Sequence, residues 1–331
     1  MPHLCLFLLL GSCVPYRDFT LPNPPGRRTP VAFRWEAVPT PQLTRGVPGQ
    51  WDSADVLNPS VVESGGSYWN LYSGFDGKTW RTGLANSSDG QSWRKQGMVL
   101  APDAGTWEGS YIAANGSALA DNGQFFYWYQ AGSAPFEIGL ARSTDARNWR
   151  KEPRPVLSAG PYGSWDERAV ADPYVVVVDG HFFLFYLGQD RARRQRLGVA
   201  TSADGIHWLK LRSNPVLELG TLGAFDENGL GEPAVWASNG FYWMLYTGRD
   251  RQEVRRLGLA RSSDGARWEK LSIPVIAGSE PWNGRVICDP TILAANGQVR
   301  VWFGGGNVAH PVENVNGQIG AGLLRIVPAG Q

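Results

Sequence analysis

One pattern of roughly 57 residues recurs five times along this 331-residue chain, and no other feature constrains its fold as strongly. Each repeat opens on an aromatic, usually followed by an acid: Trp51-Asp52, Trp107-Glu108, Trp165-Asp166, Phe225-Asp226 and Trp282-Asn283. A polar residue follows seven positions after the aromatic, eight in the second repeat, giving the series Asn58, Asn115, Asp172, Glu232 and Asp289. Pro comes next in four repeats and Gly116 in the second. An apolar run leads to a recurring glycine at Gly66, Gly123, Gly180, Gly240 and Gly297, then to an aromatic-rich run such as Phe241 to Tyr246. A third run carries Gly-Leu-Ala or a close variant, and four repeats continue into a turn of one type, beginning at Ser87, Ser143, Ser202 and Ser262.

Asp-Gly and Asn-Gly between alternating apolar runs are hairpin signals, because Gly tolerates positive φ. Four short antiparallel strands make a small twisted sheet that cannot bury both faces alone. Stacking such sheets around an axis buries them, with aromatics filling the wedge between neighbours. The reading is all-β: a five-bladed β-propeller of four-stranded antiparallel blades. The fifth repeat lacks its Ser-x-Asp turn and fourth strand. Phe33-Arg34-Trp35-Glu36 matches Ala266-Arg267-Trp268-Glu269, so the N-terminal strand is expected to complete the last blade and close the ring over residues 31–328. Closure removes exposed strand edges. Alternating strand direction puts the Asn-Gly and Ser-x-Asp-Gly turns on one face and the polar series near the axis on the other. The loops Phe75 to Trp80, Gln189 to Arg196, Arg249 to Arg256 and Gly304 to Gly317 surround that series. Convergent polar groups in a concave pocket are the expected site.

Charge is balanced, with 31 Lys and Arg against 30 Asp and Glu, so the basic surplus that nucleic acid requires is absent. The three cysteines, Cys5, Cys13 and Cys288, form no metal-ligand or disulfide spacing. Leu4 to Leu10 is almost unbroken apolar and ends in Gly11-Ser12-Cys13, which reads as an export or lipoprotein signal over residues 1–13. Lipidation of Cys13 would tether the protein to a membrane. The Pro-rich residues 14–30 read as a linker. The expected product is an exported monomer: periplasmic, extracellular or anchored at the cell envelope.

The blade pattern and the inner-strand acids resemble the five-bladed propeller glycosidases, notably glycoside hydrolase family 43, with families 32, 62 and 130 as further relatives. Family 43 carries a general-base Asp on its first blade, a pKa-setting Asp on its third and a general-acid Glu on its fourth. The resemblance therefore implies Asp172 in the second role and Glu232 in the third. The first-blade position is Asn58, which cannot act as a base. Inverting hydrolysis needs one carboxyl to protonate the leaving oxygen and another to deprotonate water. Asp55, Asp52 and Asp289 are the candidates for the missing base. A phosphorolytic route, as in family 130, would use one acid and a phosphate held by cations, for which Arg168 and Arg285 are placed. No Glu-Asp-Pro-Arg signature of that family is present.

Asn58, Asn115, Arg168, Arg285, Trp80 and Phe75 complete the candidate substrate-binding set. His310 is the candidate ligand for a calcium ion, again by resemblance; no cofactor is otherwise required. Each has a plainer alternative. The acids can be ring-closing hydrogen-bond acceptors, and the Arg-rich loops can be solvated rims. Three functions are open at this point. They are a glycosidase on oligo- or polysaccharides, a sugar-binding propeller without turnover, and a surface propeller that binds protein.

Overall fold

The computed structural model describes residues 16–295 and 297–329. Among them every regular element is a strand. The first sheet pairs Asp55–Ser64, Ser67–Phe75, Trp80–Ser87 and Arg94–Leu100 in chain order, all antiparallel. The second pairs Ile112–Asp121, Gln124–Gly132, Phe136–Ser143 and Arg150–Lys151. The third pairs Ala169–Val178, His181–Gln189, Gln195–Ser202 and Leu209–Leu211. The fourth pairs Gly229–Ser238, Phe241–Arg249, Arg255–Ser262 and Glu269–Lys270. The last pairs Val286–Ala295, Gln298–Gly306 and Gln318–Pro328, and its outer strand is Val31–Ala37, with Val31 opposite Pro328 and Ala37 opposite Gly322. The first strands of all these sheets meet around a small axial cavity of about 30 Å³, which makes the fold a β-propeller.

The core lies between neighbouring sheets. Phe185, Leu197 and Val199 of the third sheet pack on Val235, Met244 and Tyr246 of the fourth, all buried. Each opening acid is the hub of a polar knot beneath its own aromatic. Asp52 accepts from Tyr72 Oη (3.2 Å) and Lys95 Nζ (2.5 Å). Glu108 does so from Tyr129 and Lys151, Asp166 from Tyr186 and Lys210, and Asp226 from Tyr246 and Lys270. A buried carboxylate stripped of one partner is costly, so members of such a knot are kept or lost together. The last sheet illustrates this, with Asn283, Phe303 and Ala37 at the three repeat positions.

The Ser-x-Asp turns are structural. Asp89 accepts the N–H groups of Gln91 (2.7 Å) and Ser92 (2.8 Å), and Ser87 Oγ accepts that of Gly90 (2.9 Å). Indoles from the preceding sheet lock onto two of these turns: Trp302 Nε1 donates to Gly90 O (2.9 Å) and Trp128 Nε1 to Gly205 O (2.8 Å).

The signal segment 1–13, with Cys5 and Cys13, lies outside the described residues. The stretch that reads as a linker is a packed strap from Tyr16 onward. Tyr16 and Arg17 pair in parallel with Lys210 and Leu211. Leu21, only 4% exposed, donates its N–H to Asp264 O (2.8 Å), and Tyr242 Oη donates to Pro22 O (2.7 Å). Gly240 N–H donates to Pro25 O (2.9 Å), and the Arg28 guanidinium lies 5.3 Å from the Phe241 ring centre. Two turn glycines make this close approach feasible. A Cβ at Gly265 would lie 2.5 Å from the Leu21 side chain, and one at Gly240 would lie 2.8 Å from Arg28 N. Phe185 stands at the repeat position of Trp128 and Trp302, and Leu21 packs in the same cluster as this smaller ring.

Candidate active site

The five polar residues share one backbone device. In every first strand the pairing register breaks at the same place: Leu57/Ser60, Ala114/Ser117, Ala171/Tyr174, Gly231/Ala234 and Cys288/Thr291. Inside each β-bulge the polar residue is left-handed, with φ of 47° at Asn58, 50° at Asn115, 48° at Asp172, 45° at Glu232 and 53° at Asp289. Bulges re-aim side chains, and Asn and Asp tolerate this region best. Glu lacks that tolerance, so Glu232 carries a backbone cost of about 1–3 kcal/mol. A residue retained at such a cost is a candidate for function rather than for packing.

Above the bulges opens a pocket of about 340 Å³. Its floor holds Asn58, Asn115, Asp172, Glu232 and Asp289, so the polar series converges as the repeat pattern predicts. Asn58 N–H donates to Asp289 Oδ2 (3.2 Å), Cys288 Sγ donates to the same oxygen (3.1 Å), and Asp289 N–H donates to Thr247 Oγ1 (3.2 Å). Glu232 Oε2 has no protein partner. Burial, then the Glu232 and Asp289 charges, hold the Asp172 carboxyl well above the usual carboxylate range. Burial and the Glu232 charge push Asp289 up to about 7. Like charges in one buried floor cannot ionise independently, so Asp172 and Asp289 do not titrate as isolated carboxyls.

Buried Arg255 offsets part of this charge while its Nη2 donates to three loop carbonyls, those of His310 (2.8 Å), Pro311 (3.0 Å) and Val312 (3.2 Å). Arg249 joins Gln195 Oε1 (2.8 Å) and Pro311 O (3.2 Å). Pro311 and Val312 thereby form one wall of the pocket. The loops read as solvated rims thus also supply pocket groups. Their signal lay in the repeat itself: four of the five residues that start the third strands, Trp80, Phe136, Gln195 and Arg255, line the pocket. Tyr111, Gln130 and Thr247 line it too and carried no motif.

The other candidates fall in different places. Arg168 and Arg193 line the mouth, and both are exposed. Trp80 lines the pocket with its ring stacked on buried Phe75, 4.7 Å between centres, so Phe75 supports the wall without forming it. Asp55 is fully buried outside the lining and accepts three backbone N–H groups, from Asn314 (2.5 Å), Val315 (3.1 Å) and Gly317 (2.7 Å). Its oxygens anchor the 307–317 loop, which removes it as a base, and Asp52 is committed to its Tyr-Lys knot. Arg285 is exposed and outside the lining; its backbone carbonyl accepts the Arg255 N–H (3.1 Å). His310 is exposed and outside the pocket lining, and among the described residues no three His, Cys, Asp or Glu are grouped to hold a metal ion.

The fold is a propeller of the glycoside hydrolase-like type. The glycosyl hydrolases family 32 N-terminal domain matches residues 67–218 and again residues 124–280, an offset of about one repeat. Together the alignments span more than half of the chain, and the chain belongs to this family. The blade pattern and inner-strand acids resemble family 43 more than family 32, whereas the matching model is that of family 32. Among curated proteins, an uncharacterized protein of Mycobacterium tuberculosis is 26% identical over 63% of this chain and 72% of its own length. A 1,2-beta-oligomannan phosphorylase of Thermoanaerobacter sp. is 32% identical over 38% of this chain, which spans under half of that enzyme (44%). The solved β-1,2-mannobiose phosphorylase of Listeria innocua superposes with a TM-score of 0.69 at 11% identity, covering 88% of this chain and 96% of that one.

Proposed function

We propose that the protein cleaves glycosidic bonds of oligosaccharides in the axial pocket. The observation that carries this reading is the convergence of Asp172, Glu232 and Asp289 on one pocket floor, with Glu232 Oε2 unpartnered. Glu232 is the proton donor to the departing oxygen. Asp289 takes the base role that Asn58 cannot fill. It sits against Asn58, and a carboxyl titrating near 7 suits proton abstraction at neutral pH. Asp172 tunes the charge around both. Trp80 and Tyr111 offer ring faces to the sugar, and the cleaved sugar's acceptor enters past Arg168 and Arg193.

Those arginines support a branch of the same reading in which phosphate, not water, attacks. The test is turnover of mannosides, fructosides, arabinosides and xylosides with and without inorganic phosphate. Hydrolysis predicts phosphate-independent turnover that Asp289→Asn abolishes. Phosphorolysis predicts sugar phosphate as product and tolerance of Asp289→Asn. Asn58 favours a second reading, sugar binding without turnover, which predicts saturable binding and no product under either condition. No binding and no turnover on the whole panel would reject both.

A further inference from the structure

The pocket-side loops of the third and fourth sheets are built alike and differ at one corner. Glu167 and Asp190 hold Arg191 (3.1 Å) and Arg196 (3.0 Å) in the third sheet, as Glu227 and Asp250 hold Arg251 (3.4 Å) and Arg256 (3.1 Å) in the fourth. Arg193 and Glu253 take the same place in these loops, both left-handed with φ of 62°. Arg168 and Asn228 each precede the first strand and donate N–H to Gln189 O and Arg249 O. In the fourth sheet the corner satisfies itself: Glu253 accepts from Asn228 Nδ2 (3.1 Å) and pairs with Arg249 Nη1 (3.1 Å). In the third sheet Arg168, Gln189 and Arg193 hold these three positions, and all line the pocket. The acid has become a second cation. The acids of that loop, Glu167 and Asp190, are taken by Arg191, Arg194 and Arg196, which leaves Arg168 and Arg193 without a side-chain partner among the described residues. Two like charges, at positions that lie within hydrogen-bond reach in the fourth sheet, repel each other until an anion sits between them.

We propose that Arg168 and Arg193 form a subsite for a carboxylate or sulfate group carried by the sugar, so that the pocket prefers acidic to neutral saccharides. The oxyanion takes the place that the Glu253 carboxylate fills one blade further on, and guanidinium forks match its geometry. The placement favours a group on the sugar over free phosphate. An attacking phosphate must reach the bond being cut above Asp172, Glu232 and Asp289, where carboxylate charge repels it. The other two arginines of the lining give it no help there: Arg249 is engaged by Glu253 and Gln195, and Arg255 by three loop carbonyls. A substituent of the sugar need only reach the mouth. The catalytic meaning rests on the glycoside-cleaving reading, but the subsite can be read from binding alone.

The experiment is calorimetric titration with matched sugars: mannuronate against mannose, galacturonate against galactose, and each neutral sugar against its primary sulfate ester, as free sugars and short oligomers. Wild type is expected to bind the anionic member of a pair about tenfold or more tighter, a preference that weakens as salt rises. The preference should fall to near unity in Arg168→Gln with Arg193→Gln. It should fall likewise in Arg168→Asn with Gln189→Arg and Arg193→Glu, which copies the fourth-sheet corner. Thermal melts identify folded variants, and the copied corner keeps the test open where the double Gln variant misfolds. A preference that the variants lose, without turnover of either member by wild type, would sustain the subsite and reject the cleavage reading. Turnover of neutral sugars with no preference for their anionic partners would do the reverse. Equal or undetectable affinity across every pair, or a preference that survives in both folded variants, would overturn the proposal. So would inorganic phosphate binding that needs both arginines while no sugar pair is discriminated.

Discussion

Asp289 is where residue-scale physics makes its sharpest demand. Its carboxyl ordinarily titrates at 3.8 and is pushed up to about 7 in the fold. Between those values the native state binds more protons than the unfolded chain, so this group makes stability fall as pH rises across that window. Asp289→Asn removes the cost. Its unfolding free energy should exceed that of wild type at pH 8, by up to about 4 kcal/mol, and converge on it near pH 4. Urea unfolding at the two pH values measures this; a variant less stable than wild type at pH 8 would contradict the burial argument. The same ionisation should give kcat/KM an acidic limb near pH 7 if Asp289 is the base. The polar series was legible residue by residue, because a bulge position repeats in sequence as well as in space. Asp55 was misread as a candidate base. Three residues of separation say nothing about a side chain turned toward the backbone of a loop more than 250 residues away.

At the scale of elements, the strap and the acid knots hold the sheets that carry the site. Leu21 is buried in the cluster between the third and fourth sheets, so Leu21→Ala should cost about 2–5 kcal/mol of stability and leave sugar binding unchanged. Chemical denaturation beside a binding isotherm checks both halves. Lys210→Ala strands the buried Asp166 and should cost about 3–5 kcal/mol. Adding Asp166→Asn and Tyr186→Phe reproduces the Asn283, Phe303, Ala37 set of the last sheet, and the triple variant should recover part of that loss. If the triple variant is less stable than Lys210→Ala, the knot is not the unit described here. The knots were half visible, since the acids repeat while their Tyr and Lys partners sit in later strands. The strap was not visible: its Pro-rich composition is what a tether would also have, and its docking depends on Gly240 and Gly265, far along the chain.

For the whole molecule, the repeat determined which strands pair, including Val31–Ala37 on the last sheet, and which face gathers the polar groups. That much follows from period and alternation alone. Pocket shape does not follow, because Pro311 and Val312 reach the mouth on a loop pinned by Asp55 and Arg255 rather than by any repeated feature. The proposed function turns on Glu232 as the catalytic carboxyl of this ring of bulges. The most direct test is kcat of Glu232→Gln beside wild type on the best substrate of the panel, with substrate binding measured in parallel. A catalytic Glu232 predicts a loss of about 10²- to 10⁴-fold in kcat with binding retained. Equal turnover by the two proteins would contradict it.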